Sequence, residues 1–409
     1  MAIKKSIGVI FDEIKESIDL DENDIVTIVT SIKQIHLFDD VLDFRQEQKT
    51  TYKLSDILLL AFLVILERGK QTFYYIASYI KINHIKYEKL GLIKDNNYPS
   101  HDTFRRIFSL LDEKSLKETT IDRLYEFLLE LEKNQKGLVH ICVDGKTVNG
   151  TGRNKDTNNP HENYNVMNVY SSTYGTCIYS EVIEHKKSSE IPAAQRILSS
   201  FNLKNVVVTA DAIHCQRNTC KAIKGQSGHY VLNTKDNQEL LKQDIEAKFN
   251  NPRNKKKIIT IEEDNTKISI LKLPSNYDND GFVGLRSFVK LESHKRKKPC
   301  IRYFITDLVK PDDIVYAINS RWSIEIFHKL KDDFLHEDEF RCFNKRAVKN
   351  IVTMNNLISQ LIKIYVPLSE YDLHDAKIAM SSRPMEEVSK LLTLISTKEL
   401  KEKMLKVVK

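Results

Sequence analysis

The chain has 409 residues, which exceeds one typical domain and predicts two or three folded units. Its 41% of apolar residues can fill real cores, and its net charge of +7 is a mild basic excess. The longest uninterrupted apolar run, residues 57–66, is too short to cross a bilayer, so no membrane is expected as a partner. The N-terminus lacks the pattern of a signal peptide, and the cysteines form no Cys-x-x-Cys pair. We therefore expect a cytoplasmic protein with reduced thiols and no zinc site.

Residues 1–135 are predicted to form a helical region with an accessory or DNA-binding role. Helical periodicity predicts one buried helix from residue 55 to about residue 65. Further along, Ser100 is predicted to cap a helix that carries Arg105 and Arg106 near its start. A small helical unit with two such arginines could dock on DNA. A solvated basic helix face would look the same in the sequence, so both interpretations stay open.

The sequence changes character after residue 136, where short apolar runs typical of strands appear. The predicted strands are 138–144, 164–172, 176–184, 205–211 and 229–234, and the predicted helices are 191–201 and 215–224. Three strands followed by alternating helices and strands predict a mixed α/β sheet.

Two of these predicted strands end in a carboxylate. Asp144 ends a buried run and precedes Gly145, where the backbone is expected to turn, and Asp211 ends the run that begins at Asn205. A single acid at the end of a buried strand is costly unless it is paired or holds a cation. Together with Glu325 on a predicted helix, these acids match the way a two-metal phosphoryl-transfer site is assembled from hard oxygen ligands. The alternative for Asp144 is an ordinary turn aspartate.

Residues 236–300 interrupt the α/β pattern and are predicted to be a β-rich insertion. They include two basic clusters, which are Lys255, Lys256 and Lys257 beside Arg253, and Lys295, Arg296, Lys297 and Lys298. Clusters of this kind bind phosphate backbones by releasing counterions. Any exposed lysine-rich turn would give the same pattern, so each cluster alone is weak evidence for DNA binding.

A single helix is predicted from Pro311 to about Phe334. At 100° per residue Glu325 falls on the apolar stripe of Ile314, Ile318 and Trp322, where a carboxylate needs a partner. Arg321, four residues earlier, could pair with Glu325 as a structural ion pair, or it could contact phosphate while Glu325 serves the site. Residues 346–409 are predicted to be helical and to pack on the core through an apolar face.

Five stretches carry a resemblance to a known family. They are Tyr98-Pro-Ser-His-Asp-Thr-Phe-Arg-Arg106, Val143-Asp-Gly-Lys146, Lys187-Ser-Ser-Glu-Ile-Pro192, Thr209-Ala-Asp-Ala-Ile-His-Cys-Gln216 and Arg321-Trp-Ser-Ile-Glu325. The chain resembles bacterial insertion-sequence transposases related to the H-repeat-associated proteins of Rhs elements, which are DDE enzymes with an RNase H-like catalytic fold. The resemblance implies that Asp144, Asp211 and Glu325 are the catalytic acids and metal ligands. Lys235 matches a family motif ending in Lys-x-Asn-Gln, and with Lys146 and Arg321 it is expected to contact DNA phosphate.

The chain also departs from the family pattern at some positions. The family often has Asn and then His-Trp after the helix glutamate, where this chain has Ile326-Phe-His-Lys329. Related transposases place a tyrosine closer to the helix arginine than Tyr316 lies to Arg321. None of these changes removes a catalytic acid, so they affect the expected details of DNA-end recognition only.

The predicted architecture is therefore α/β, with an RNase H-like mixed-sheet catalytic core flanked by helical segments. The predicted domains are a helical region at 1–135, a catalytic domain at 136–345 with its insertion at about 236–300, and a helical region at 346–409. The expected cofactor is Mg²⁺ or Mn²⁺, as two ions. The expected partners are double-stranded DNA, as terminal inverted repeats and target DNA, and a second copy of the chain in the DNA complex.

Three other functions remain to be weighed. A nuclease that only hydrolyses DNA would share all three acids, and only a strand-transfer assay separates it from a transposase. A domesticated or inactive DNA-binding descendant would not need the acids, so their retention argues against it. A phosphatase with a strand-end aspartate nucleophile usually has a second aspartate two residues later, where this chain has Lys146.

Overall fold

The computed structural model describes residues 37–118, 137–152, 162–183, 187–263, 265–278, 280–293, 300–368, 371–384, 387–388 and 391. The predictions for residues 1–36 and for the basic cluster at 295–298 lie outside these residues. Within the described part of the chain, no helix is long and apolar enough to span a membrane. None of the six cysteines forms a disulfide.

The described part of the chain begins with helices, continues with strands and helices, and ends with helices. The helices are α1 (Leu54–Arg68), α2 (Phe73–Ile82), α3 (His84–Lys89), α4 (His101–Leu110), α5 (Lys187–Ser200), α6 (Arg217–Gly225), α7 (Glu239–Asn250), α8 (Pro311–Ser320), α9 (Trp322–Asp333), α10 (Lys345–Leu368) and α11 (Leu373–Ser382). The strands are β1 (Val139–Val148), β2 (Tyr164–Ser171), β3 (Thr176–Ile183), β4 (Val206–Ala210), β5 (His229–Thr234), β6 (Ile258–Glu263), β7 (Thr266–Lys272), β8 (Ser287–Ser293) and β9 (Cys300–Thr306).

All the described strands belong to one mixed sheet in the order β3-β2-β1-β4-β5-β9-β8-β7-β6. The centre is parallel, because β1 pairs with β4 and β4 pairs with β5 in the same direction. Strand β9 runs antiparallel to β5, and β8, β7 and β6 continue the antiparallel half. The segment predicted as a β-rich insertion thus contributes β6, β7 and β8 to the same sheet. It also contains α7, which the sequence analysis did not predict.

Strand β1 is longer than predicted. It was expected to end at Asp144 and turn at Gly145, but it continues in extended conformation to Val148. Gly145 does not adopt a left-handed backbone conformation, so no turn forms there. The continuation fits the sequence, since the apolar Val148 at the end of the strand is buried. Asp144 therefore lies within β1 rather than at its end.

Both faces of the parallel centre are covered, as parallel sheets require. On one face Ile141 and Val143 of β1 belong to a core with Ala193, Ala194 and Ile197 of α5. On the other face Val207 and Val231 pack with helix α8 through a second core that includes Ile314 and Ile318. The two faces of the parallel centre thus meet different helices.

The chain forms two compact units. The first comprises residues 1–136, 147–164 and 327–409, and the second comprises residues 137–146 and 165–326. Asp144, Asp211 and Glu325 all belong to the second unit. The first unit includes both N-terminal and C-terminal helices. The predicted division into three domains stays a prediction.

Helix α10 is the central helix of the first unit. Its predicted apolar face is confirmed, because the side chains on it are all buried, namely Val348, Ile351, Met354, Leu357, Ile358 and Leu361. The Asn350 amide donates to the carbonyls of Phe108 and Leu111 at 2.9 and 3.0 Å. These bonds satisfy the carbonyls at the C-terminus of α4, which a helix leaves without intrahelical partners.

A buried ion pair lies beside α10 in the same unit. Lys331 is fully buried and its Nζ lies 2.9 Å from Oε1 of Glu337, which is 1% exposed. Asn356 accepts a hydrogen bond from Lys331 at 3.1 Å, and Asn355 donates to Glu337 at 3.0 Å. Two charges out of water are tolerated here because each has both an opposite charge and a polar neighbour.

Candidate active site

Pairing of β1 with β4 brings the two aspartates together. Val143 and Ala210 are Cα partners in the parallel register, and each aspartate is the next residue along its strand. Asp211 follows the last residue of β4 and precedes a short 3-10 turn, Ala212–His214, as predicted for a strand-end acid. The sheet therefore places two carboxylates from distant parts of the sequence side by side.

Asp144 carries its charge in an unfavourable environment. Burial, followed by the negative charge of Asp211, raises the pKa of its carboxyl to about 7, although Arg321 and the Gly145 amide act in the opposite direction. The Gly145 amide donates to Oδ1 of Asp144 at 3.0 Å. A carboxylate this poorly compensated favours either a proton or a cation at the site.

Asp211 is better compensated than its neighbour. Burial alone would raise the pKa of its carboxyl, but the Ala212 amide, Lys235 and Arg321 together lower that pKa below its ordinary value. The Nζ of Lys235 lies 3.6 Å from Oδ1 of Asp211. Asp211 is thus ionised at neutral pH, with Lys235 next to it; the expected contact of Lys235 with DNA phosphate stays a prediction.

The rest of the Lys235 motif holds the turn after Asp211. The Asn237 amide donates to the Ala212 carbonyl at 2.7 Å, and the Gln238 amide donates to the Cys215 carbonyl at 3.0 Å. Sequence reasoning assigned no role to Asn237 or Gln238. The signal in the sequence was the Lys-x-Asn-Gln motif itself. Its residues follow β5 and bond to the segment that follows β4.

The helix that carries Glu325 differs from the prediction in two respects. The single helix predicted from 311 to 334 is divided at Arg321 into α8 and α9. Glu325 was predicted to share a buried stripe with Trp322, but the Glu325 side chain is 41% exposed and Trp322 is also exposed. The buried apolar residues of α9 are instead Ile324, Phe327 and Leu330. The interruption at Arg321 allows α9 to bury a different face from α8.

Arg321 links the glutamate to the aspartates. Its side chain is only 13% exposed, and its Nη2 lies 3.5 Å from Oε1 of Glu325 and 4.0 Å from Oδ1 of Asp211. The alternative of an ion pair between Arg321 and Glu325 is therefore confirmed. The same guanidinium also lies near Asp211, so the pair is part of the acid cluster and not a separate feature.

Polar side chains extend below the acids between the strands. His140 is buried, and its Nε2 lies 2.8 Å from Oγ1 of Thr209 while its Nδ1 contacts Ser172. Burial lowers the pKa of His140 to about 3, so it is neutral at physiological pH. The ring of Tyr316 meets His140 edge-on, and its hydroxyl lies 2.9 Å from Thr173. Sequence reasoning missed His140, because a lone histidine in an apolar run gives no signal.

The two aspartates are the candidate ligands for a cation. The described residues contain no group of three or more Asp, Glu, His or Cys side chains arranged to hold a metal ion. Asp144 and Asp211 provide adjacent hard oxygens of the kind that Mg²⁺ binds. Glu325 is engaged by Arg321 at 3.5 Å. The chemistry of these residues therefore fits a divalent cation at the aspartate pair.

The other predicted DNA-binding residues are distributed over the two units. Lys146 lies on the same face of β1 as Asp144 and is only 7% exposed. Ser100 caps α4 as predicted, and Arg105 and Arg106 on this helix are exposed, with Arg105 2.9 Å from Asp102. Lys255, Lys256 and Lys257 are exposed in a 3-10 segment, Pro252–Lys257. Their contacts with DNA stay predictions.

Comparison with known proteins identifies the family. The sequence model of the transposase DDE domain matches residues 135–361, and an associated family matches residues 35–122. The chain belongs to the DDE transposase family. The match contains Asp144, Asp211 and Glu325, and it confirms the family resemblance that the five sequence stretches indicated.

Sequence relatives of this DDE transposase family member carry transposase names. "Putative transposase YncI" of Escherichia coli O157:H7 is 26% identical over 78% of this chain and 85% of its own length. "H repeat-associated putative transposase YhhI" of Escherichia coli K12 is 25% identical over 73% of this chain and 81% of its own length. A solved structure, the piggyBac transposase synaptic complex with hairpin DNA, covers 93% of this chain and 82% of the solved chain at 12% identity, with a TM-score of 0.42.

Proposed function

We propose that the protein is a DNA transposase that cuts the ends of an insertion sequence and joins them to target DNA by phosphoryl transfer. The observation that carries the proposal is the placement of Asp144 and Asp211 by adjacent parallel strands, with Arg321 within 4.0 Å of both Asp211 and Glu325. The five strands in the order β3-β2-β1-β4-β5 support an RNase H-like core. Membership in the DDE transposase family supports the reaction class.

Cleavage would be hydrolysis of a phosphodiester. Water attacks phosphorus, the bond from phosphorus to the 3′ oxygen breaks, and the products are a 3′-hydroxyl and a 5′-phosphate. Joining would repeat the displacement with that 3′-hydroxyl as the attacking group on target DNA. Divalent ions, when bound, would lower the pKa of the attacking water or hydroxyl and stabilise the leaving oxygen.

The residues of this chain would supply position and charge. Asp144 and Asp211 would hold Mg²⁺ or Mn²⁺, because they are adjacent hard oxygen donors with one poorly compensated charge between them. Arg321 and Lys235 would neutralise charge on the transferred phosphate, since both cations already lie within 4.0 Å of Asp211. Glu325 would join the aspartates when phosphate draws Arg321 away from it. Positioning and electrostatics would then provide most of the rate.

Exposed cations are expected to bind the rest of the DNA. Lys255, Lys256 and Lys257 form one exposed cluster in the second unit, and Arg105 and Arg106 lie on an exposed face of α4 in the first. Such groups raise affinity without reading sequence. Binding of both element ends by two copies of the chain is the expected assembly.

The decisive test compares Glu325→Gln with Asp332→Asn. Glu325→Gln keeps the shape and removes the charge, so we expect it to abolish cutting and joining of end DNA while binding persists. Asp332 lies on α9 two turns later, in the first unit, and is the matched control. Normal cutting by Glu325→Gln together with loss in Asp332→Asn would show that Glu325 is not the third acid.

A nuclease that only hydrolyses DNA is the second candidate, because the same acids would serve it. Supplying precleaved ends with a free 3′-hydroxyl and a target plasmid separates the two functions. A transposase forms joined products, whereas a hydrolytic nuclease forms none.

A further inference from the structure

The face of β1 that packs against α5 has no role in the proposed reaction. Side chains alternate along a strand, so Asp144 faces α8 and α9 while Gly145 faces α5. The neighbouring residues confirm this, since Val143 packs with Ala193 and Ala194 of α5. Whatever lies behind Gly145 therefore supports the backbone directly beside a catalytic acid.

A carboxylate from α5 lies close to the position that a side chain at residue 145 would take. A Cβ added to Gly145 would come 3.2 Å from both Cδ and Oε1 of Glu190, and 3.2 Å from Sδ of Met167. The backbone of Gly145 is not left-handed, so its conformation does not require glycine. A side chain at position 145 would be crowded, because Glu190 and Met167 both lie close to this face of the strand.

Glu190 is fixed in this position by two features. The amide of Asn165, which is buried on β2, donates to Oε1 of Glu190 at 2.7 Å, and β2 lies next to β1 in the sheet. Glu190 also lies in the first turn of α5, where the helix dipole favours a negative charge. The partly buried carboxylate is thereby stabilised on the side of β1 away from the acids.

The peptide next to Glu190 is the one that orients Asp144. The Gly145 amide donates to Oδ1 of Asp144 at 3.0 Å, so the position of this peptide helps to orient the carboxylate. We propose that Glu190, held by Asn165, is a positioning residue that fixes the Gly145 peptide and thereby orients the Asp144 carboxylate. This inference rests on the proposed function, because it gives Glu190 a role in that reaction.

The test uses the full-length protein with Glu190→Ala, Glu190→Gln, Gly145→Ala and the double variant Gly145→Ala/Glu190→Ala. Glu181→Ala is the matched control, because it removes a carboxylate that pairs with Arg196 of the same helix at 2.7 Å. Single-turnover cleavage of end DNA is measured at saturating DNA and Mg²⁺, with DNA affinity and thermal unfolding measured in parallel.

We expect Glu190→Ala to cleave about tenfold more slowly than wild type, with DNA affinity changed less than about twofold. Glu190→Gln should stay within about threefold of wild type, because its Oε1 can still accept from Asn165. Gly145→Ala should be slower than Glu190→Ala, and the double variant should regain about tenfold over Gly145→Ala, because removal of Glu190 makes room for the methyl group. Glu181→Ala should cleave at the wild-type rate.

Several results would overturn the inference. Cleavage by Glu190→Ala at the wild-type rate would show that Glu190 does not orient Asp144. Equal losses in Glu190→Ala and Glu190→Gln, with matching losses of DNA affinity, would indicate a purely structural role. If wild type itself cuts no DNA, the proposed function fails, and thermal unfolding still tests the packing. In that case a double variant no more stable than Gly145→Ala would refute the contact between Glu190 and Gly145.

Discussion

Replacement of Asp144 by asparagine tests the electrostatics of the site without any DNA. Burial, with the added repulsion of Asp211, raises the pKa of this carboxyl from the ordinary 3.8 to about 7. The folded protein therefore holds a proton that the unfolded chain releases between pH 4 and pH 7. Because the native state binds more protons there, stability falls as the pH rises through this interval.

The size of the effect follows from the shift in pKa. At about 1.36 kcal/mol for each pH unit, moving this pKa from 3.8 to about 7 costs the metal-free protein at most about 4 kcal/mol once Asp144 is ionised. Asparagine has nearly the same shape and carries no charge. We therefore expect Asp144→Asn to be more stable than wild type above pH 7, by up to about 4 kcal/mol, and equally stable near pH 4.

The assay is thermal unfolding in EDTA across pH 4 to 8, with the difference between variant and wild type plotted against pH. Since about 1 kcal/mol corresponds to roughly 2–4 °C for a unit of this size, the expected difference at pH 8 is several degrees. Asp312→Asn, which changes an exposed aspartate at the start of α8, is the control and should give no such trend. Adding Mg²⁺ at pH 8 should stabilise wild type and leave Asp144→Asn nearly unchanged.

One outcome would refute the reasoning. If Asp144→Asn were no more stable than wild type at pH 8, with the same difference at pH 5, the charge of Asp144 would not be desolvated in the folded protein. The aspartate pair would then have no desolvated charge for a cation to neutralise.

Three further predictions follow from other parts of the structure. End-DNA cleavage should be lost in excess EDTA and restored by Mg²⁺ or Mn²⁺, because the proposed ligands are carboxylate oxygens; full cleavage in EDTA would contradict this. Lys331→Ala should destabilise the first unit by about 3–5 kcal/mol in thermal or denaturant unfolding, because it leaves Glu337 buried without its cation. Lys329→Ala, whose side chain is 77% exposed, should cost less than about 0.5 kcal/mol, and equal losses would disprove the burial argument. Changing Lys255, Lys256 and Lys257 to alanine should reduce the salt slope of DNA binding by about 2–3, and an unchanged slope would remove this cluster from the DNA interface.

Local sequence patterns determined much of the fold. Apolar runs bounded by turn residues predicted the five strands from β1 to β5, because a strand buried on both faces must be apolar throughout. The same reasoning identified the apolar face of α10 and Ser100 as a helix cap. Asp211 was expected at a strand end and lies there. These features depend on residues that are close together in the chain.

Features that depend on distant residues were decided by the tertiary structure. The predicted turn at Gly145 is instead extended strand, because β1 continues to Val148, which is buried. Glu325 was predicted to be buried in an apolar stripe, but the interruption at Arg321 leaves it partly exposed beside the guanidinium. The sequence alone determined which acids the chain offers. Only the register of β1 against β4 decided that two of them would lie side by side, because strand pairing joins segments that no local pattern connects.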